Sequence, residues 1–367
     1  MNAKSLAFGY RALAVLAFFL LWGIYTVNGG LEANLLAALH GKLNEGTALK
    51  NNYTGVFFID YPLTVLVAFF YFATNGSDEG YQLFVFEGYS ILQSAFVWLY
   101  VEMARPGSKP WPMATPLFFT VLWQCAGGAI SLPLYYAYHV LWVDSAEILR
   151  VRDQDAAEAL PFSFLLGAIF PAILGCAPTW DGPGLRSPEA HQNYLAFFQL
   201  DPLYVTLIQT ILTRIFHRLH ARKGGDPGRG PRRAHWWIQA SYLLAAASSA
   251  MGHIYTAARI YSSTEKTTNL ARMTVPYSLA GPVGGLPDIL ARSTFLYLQF
   301  DVPIFSFASL AWAYLLLSRM ANRPRISNVT LACTILVGFF TIGAGATVSL
   351  ALYVREGLLS EKGKARN

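Results

Sequence analysis

Charge is what this chain has least of. Only 13% of its 367 residues are Asp, Glu, Lys or Arg, whereas 54% are hydrophobic and 15% aromatic. A soluble domain carries about 25% charged residues, so the balance excludes an ordinary soluble enzyme and indicates an all-α polytopic membrane protein. Cysteine is also scarce. Cys125, Cys176 and Cys333 lie far apart in apolar stretches, which gives neither a disulfide framework nor a metal-ligand spacing. No Gly-rich phosphate loop, no GxGxxG after a strand and no HExxH occurs. No DDxxD-type cluster lies in an apolar stretch, which argues against magnesium-assisted ionisation of a prenyl diphosphate. No Ser-His-Asp set follows from spacing.

The apolar blocks are what the chain has in abundance. They fall at roughly 6–27, 56–74, 82–103, 116–143, 161–178, 195–216, 236–257, 293–317 and 329–354. Each is near the ~20 residues that cross a bilayer, so the expectation is one transmembrane domain, 1–367, built as a bundle of about nine helices. The first block is flanked by Lys4 and Arg11 but lacks a small-residue cleavage site, and it reads as a retained helix. Net charge is +6, with a basic run from Arg214 to Arg233. Between two spans, that run suits a cytoplasmic loop facing anionic headgroups better than a nucleic acid. This places the N-terminus inside, although Lys and Arg are split almost evenly between the two sides. Glycosylation of the sequons at Asn52, Asn75 or Asn328 would report the other side. The acidic stretch 144–160, with Asp153, Asp155 and Glu158, reads as a solvated surface helix rather than a metal site. Two long irregular connections, 177–194 and 263–293, are of the kind that covers a cavity mouth.

Against this apolar background one short phrase recurs: an aromatic or apolar lead-in, an Asp, and a Pro within two residues. The copies are FFIDYPL (Asp60, Pro62), FQLDPL (Asp201, Pro202) and LQFDVPI (Asp301, Pro303). A carboxylate at the bilayer centre costs about 2.5–3.5 kcal/mol or more, so it needs a partner or a task. Asp followed by Pro is also a helix start. Asp60 stands near the beginning of its block and reads equally as cap or acid. Asp201, with Pro directly after it, reads as a helix start. Asp301 has apolar sequence upstream from Phe295, which puts it inside its span.

Further polar groups share the apolar blocks. Glu87 and Glu102 lie in the third block, and Glu102 and Arg105 are three apart, on one helical face, where they can pair. His139 follows Tyr135 and Tyr136, with Trp142 beyond, and His253 lies in another block; Trp98, Trp123 and Gln124 add indole and amide groups. One reading is an interfacial belt with ordinary packing. The other is a cavity whose ring faces stabilise a cation, at about 1–2 kcal/mol per desolvated ring. An acid held protonated in an apolar site can protonate an epoxide or alkene, and the resulting cation needs aromatic faces and no water.

Four segments resemble the fungal membrane-bound terpene cyclases of the ascochlorin and ascofuranone type: 52–70 (NYTGVFFIDYPLTVLVAFF), 97–105 (VWLYVEMAR, departing from the pattern at Met103), 124–142 and 296–313 (LYLQFDVPIFSFASLAWA). The resemblance implies acid-initiated cyclisation, without metal or cofactor, of a lipophilic prenylated and often epoxidised substrate in meroterpenoid biosynthesis. An endoplasmic reticulum location goes with it. Carried onto this chain, it implies Asp301, Asp60 and Glu102 as the acid residues. The substrate-lining set expected with them is Trp98, Trp123, Tyr135, His139 and Arg105. A proton-coupled transporter or small-molecule receptor could use the same carboxylates as a relay. The three Asp-Pro phrases, however, are not spaced as a constant repeat, as internal repeats of a transporter would favour.

Overall fold

The structure is a computed structural model that describes residues 2–43, 47–145, 150–176, 186–222, 230–265, 268–276, 288–320 and 326–364, with backbone alone at 144–145, 230–231 and 360–364. The centre of the basic run (223–229), residues 146–149 of the acidic stretch, and parts of the two connections expected over a cavity mouth (177–185, 266–267 and 277–287) lie outside the described residues.

All elements among the described residues are helices, apart from one isolated bridge between Lys42 and Ala48. Five helices are each long and apolar enough to cross a membrane. They are α1 (Ala3–Val27), α3 (Phe57–Thr74), α4 (Glu79–Ala104), α7 (Gln154–Cys176) and α11 (Ile289–Ser318), with the short α2 (Gly30–His40) between the first two. A sixth is counted if α8 (Pro188–Phe198) and α9 (Asp201–Arg222), bent by 51°, form one span. That is fewer than the sequence suggests, and the backbone explains why. The block at 116–143 is split by Gly127 into α5 (Pro116–Ala126) and α6 (Gly128–Ser145). The block at 329–354 is split by Gly343 into α12 (Asn328–Ile342) and α13 (Ala344–Lys364). Both glycines have positive φ, +103° and +86°, with ψ near 149° and 164°. Only glycine occupies that region without strain. The block at 236–257 lies in α10 (Gly230–Ser262), where Gln239, Ser241, Ser248, Ser249 and His253 dilute its apolar character.

Helix α4 is the axis of the bundle. Every residue from Ala95 to Val101 is at most 3% exposed, and the helix packs against α7, α10, α11 and α13. Outer faces are apolar instead. Phe8, Phe58, Val329 and Phe340 are each more than 70% exposed, a distribution that suits hydrocarbon rather than water. Inside, small hydroxyls join the helices. Tyr81 donates to Thr294 at 2.9 Å, Trp98 to Ser349 at 2.9 Å, and Ser94 to the Ala245 carbonyl at 3.2 Å. Such bonds hold helices together where burial of apolar surface gives little.

Candidate active site

The break at Gly127 frees backbone groups that a continuous helix would satisfy internally, and in an apolar interior each needs a partner. The Ala126 carbonyl, ending α5, accepts from Tyr297 Oη at 2.7 Å and Trp22 Nε1 at 3.0 Å. Trp22 sits in a π-helical stretch of α1, Phe19–Gly23, and such bulges re-aim side chains. On the other side of the break, the Ala129 amide opening α6 donates to Asp301 Oδ1 at 2.7 Å. Asp301 therefore caps a helix that is not its own, and places its carboxyl at that helix's positive end. A Cβ at position 127 would come within 2.9 Å of both Asp301 Oδ1 and Tyr297 Oη, so glycine is required here for space as well as for φ.

Asp301 also forms part of a pocket wall. The pocket holds about 820 Å³, its open mouth included. Two helical strips supply much of the wall, residues 85, 88, 89 and 92 of α4 and residues 298, 301, 302 and 305 of α11. Both follow the i, i+3, i+4, i+7 pattern of one helix face. Trp123 and Gln124 from the end of α5 close one side, and Trp22, Tyr25, Asn34 and Phe69 another. Tyr297 is ringed by Phe69, Tyr25 and Trp22 at centroid distances of 5.2, 5.6 and 5.9 Å. Among the described residues lining the pocket, Asp301 is the only Asp, Glu, Lys, Arg or His. No side chain among the described residues hydrogen-bonds its carboxyl group.

The other expected site residues are elsewhere. Glu102, on α4, is completely buried; it forms an ion pair with Arg105 Nε at 2.9 Å and accepts from Arg355 Nη1 at 2.6 Å and His139 Nε2 at 2.9 Å. The i, i+3 pairing read from the sequence is present, inside a larger network. Arg105 Nη2 also donates to Glu356 Oε2 at 2.7 Å. Trp312 Nε1 donates to His139 Nδ1 at 3.1 Å, so in the neutral ring the proton is on Nε2 and points at Glu102. Trp98 and Tyr135 are fully buried beside Trp312, at 6.4 Å centroid distance each. None of Trp98, Arg105, Tyr135 or His139 lines the pocket; of the expected lining set only Trp123 does.

Asp60 is a third, separate case. Its Oδ1 accepts from the Thr54 amide and hydroxyl, both at 2.8 Å, and its Oδ2 from the Gly55 amide at 2.9 Å. Val56 is the N-cap of α3 and has no side-chain cap. Asp60 is therefore neither an N-cap nor a pocket residue. It reaches back from the first turn to the loop before its helix, as the acid of a capping box does. Of the three expected acids, Asp301 alone lines the pocket; Asp60 and Glu102 do not.

Asp201 departs from the plain helix start read in the sequence. It is the first residue of α9, but it is 3% exposed and accepts from Gln124 Nε2 at 2.9 Å across to α5. Glu87 meets His253 Nδ1 at 2.6 Å beside the second glycine break. At the protein's acidic stretch, Asp153 caps α7, and Asp155 accepts from His217 and His220. Sequence reading missed the pocket residues Tyr89, Tyr297, Trp22, Tyr25 and Asn34. The signal for Tyr89 and Tyr297 was their helical register with Val85, Leu92 and Asp301, an ordinary core pattern in itself.

The chain is similar over most of its length to several fungal proteins. Terpene cyclase DEP1 of Alternaria brassicicola is 27% identical over 94% of this chain and 96% of its own length. Terpene cyclase alnG of Emericella nidulans is 24% identical over 94% of this chain and 92% of its own. Terpene cyclase ctvD of Aspergillus terreus is 27% identical over 84% and 86%. No solved structure matches. The match to the CtvD domain runs from residue 8 to residue 360, nearly the whole sequence, and the chain belongs to the CtvD-domain family.

Proposed function

We propose that this protein is a membrane-embedded terpene cyclase in which Asp301 is the acid that starts the reaction. The observation that carries this reading is a carboxyl that is the only charged-type side chain among the described residues lining an aromatic pocket. The relatives' names supply the reaction class.

The geometry supports the following steps. A prenylated substrate, reaching the pocket from the bilayer, places its terminal epoxide or alkene against Asp301. The carboxyl proton passes to the epoxide oxygen as the C–O bond breaks, or to an alkene carbon. Asp301 is left as a carboxylate at the N-terminus of α6, where the Ala129 amide and the helix dipole stabilise the charge that has just formed. The cation faces the rings of Tyr297, Trp22, Phe69 and Trp123 while the apolar wall excludes water. Loss of a proton from the cyclised cation to the carboxylate restores the acid, so the reaction is an isomerisation balanced without a cofactor. In this reading Glu102 and Asp60 hold structure. The broken and bent helices and α10 complete a bundle of about nine passes, in the endoplasmic reticulum membrane.

Incubating membranes that contain the protein with an epoxidised prenyl substrate tests the reading. Cyclised product is expected from the natural chain and not from Asp301→Asn. An unchanged product yield in that variant would remove Asp301 as the acid.

A further inference from the structure

A second polar group in the same pocket is left without an assignment. Tyr89, on α4, lines the pocket with Asp301. It is 9% exposed, and its hydroxyl is buried with no hydrogen-bond partner among the described residues. The ring is fixed from two sides, edge-on to Phe198 at 4.7 Å and tilted against Phe70 at 5.5 Å. The helices that carry the two residues meet closely at this level. A Cβ at Gly88, next to Tyr89, would lie 2.7 Å from Val302 Cγ2, next to Asp301. Tyr89 is also within electrostatic reach of Cys176, Asp201 and Tyr81, and more weakly of Asp301, while Asp201 is already engaged by Gln124.

A buried hydroxyl with no partner costs folding free energy that a Phe in the same place would not. In a pocket wall, the group gains its partner when a ligand arrives. We propose that the Tyr89 hydroxyl is a second hydrogen-bond donor to the substrate oxygen that Asp301 protonates. This rests on the cyclase reading and makes it more specific. Two donor groups in the lining of one pocket suit an oxygen with lone pairs, whereas an alkene carbon would leave the phenol unpaired. The pair therefore selects an oxygen-bearing terminus, an epoxide, over the bare alkene. In the step, the Asp301 proton moves to the epoxide oxygen and the C–O electron pair stays on that oxygen. Tyr89 donates a hydrogen bond to the same oxygen and keeps its own proton. The bond strengthens as the oxygen gains negative charge, so its effect belongs mainly to the transition state.

The test is Tyr89→Phe in the full chain in membranes, a change that keeps the ring between Phe70 and Phe198. Turnover of an epoxide-terminated prenyl substrate should fall about 10–100-fold in kcat, with KM changed no more than about twofold and the melting temperature unchanged or raised. A second measurement is direct binding of a prenyl amine oxide, whose oxygen carries the negative charge that ring opening develops. The variant should bind it about 10-fold more weakly, while a prenyl hydrocarbon of the same length binds both proteins equally. Natural-rate turnover, or equal affinity of both proteins for the amine oxide, overturns the assignment of Tyr89. If the natural chain cyclises nothing, the cyclase reading fails instead, and the amine oxide comparison still decides whether Tyr89 grips an oxygen.

Discussion

Glu102 and Asp301 are both buried carboxyls on long interior helices, yet their surroundings are opposite. Glu102 meets two guanidinium groups and an imidazole N–H and does not line the pocket. Asp301 meets backbone N–H groups at the start of α6, the Ala129 amide at 2.7 Å and that of Gly128, and opens on a pocket with no other Asp, Glu, Lys, Arg or His among the described residues that line it. A carboxylate clamped by cations is a poor proton donor and a strong structural tie, because removing it strands two buried positive charges. A carboxyl facing apolar walls has no such tie, and its proton is free for a substrate. The difference shows that burial alone does not distinguish an acid from a strut; the charge of the nearest neighbours does.

The comparison can be broken in order of expected effect. Asp301→Asn keeps the side-chain oxygen that faces Ala129 and removes the acid. Cyclisation should fall about 10²–10⁴-fold while the thermal midpoint in detergent shifts little. A loss of stability matching that of the Glu102 variant would erase the distinction between the two sites. Glu102→Gln should cost about 3–5 kcal/mol of stability, since Arg105 and Arg355 lose a buried counter-charge. Chemical denaturation would read this as a lower midpoint, or expression as a loss of folded protein; a stable but inactive variant would instead point to chemistry at Glu102. Gly127→Ala is expected to cost about 1–3 kcal/mol through its φ of +103°. It should also lower activity, because the new methyl crowds Asp301 Oδ1 and Tyr297. Full activity there would show that the cap geometry around Asp301 is dispensable. The smallest effect belongs to Asp60→Asn. It weakens the bonds to Thr54 and Gly55 and should cost about 1 kcal/mol, measured as a small shift in thermal midpoint with cyclisation retained.

The segments of the resemblance and the structural site overlap at particular residues. Asp301 was legible because its apolar run begins upstream, which excludes a helix start. The Glu102–Arg105 pair was legible from i, i+3 spacing alone. Asp201 was not, since a Pro directly after an Asp looks the same whether the carboxyl caps its helix or reaches Gln124 from another one. Trp98, Tyr135 and His139 were attractive as cavity residues because they cluster in sequence. In the fold they turn toward Trp312 and the Glu102 network instead. Tyr89 carries no local signal, because a pocket-facing phenol and a core phenol have the same register on a helix.

The sequence by itself determined that the chain is helical and largely apolar, and that Asp301 stands within a helix rather than at its start. Those properties depend on composition, on spacing within one segment, and on local backbone preference. Only the tertiary structure decided which carboxyl faces a cavity and which faces cations. It also showed that a glycine breaks the fourth apolar block and hands its backbone groups to Asp301, Tyr297 and Trp22. The physical reason is that a buried charge takes its character from side chains tens or hundreds of positions away. Arg355 is 253 residues from the glutamate it holds, and Asp301 is 172 residues from the amide it caps.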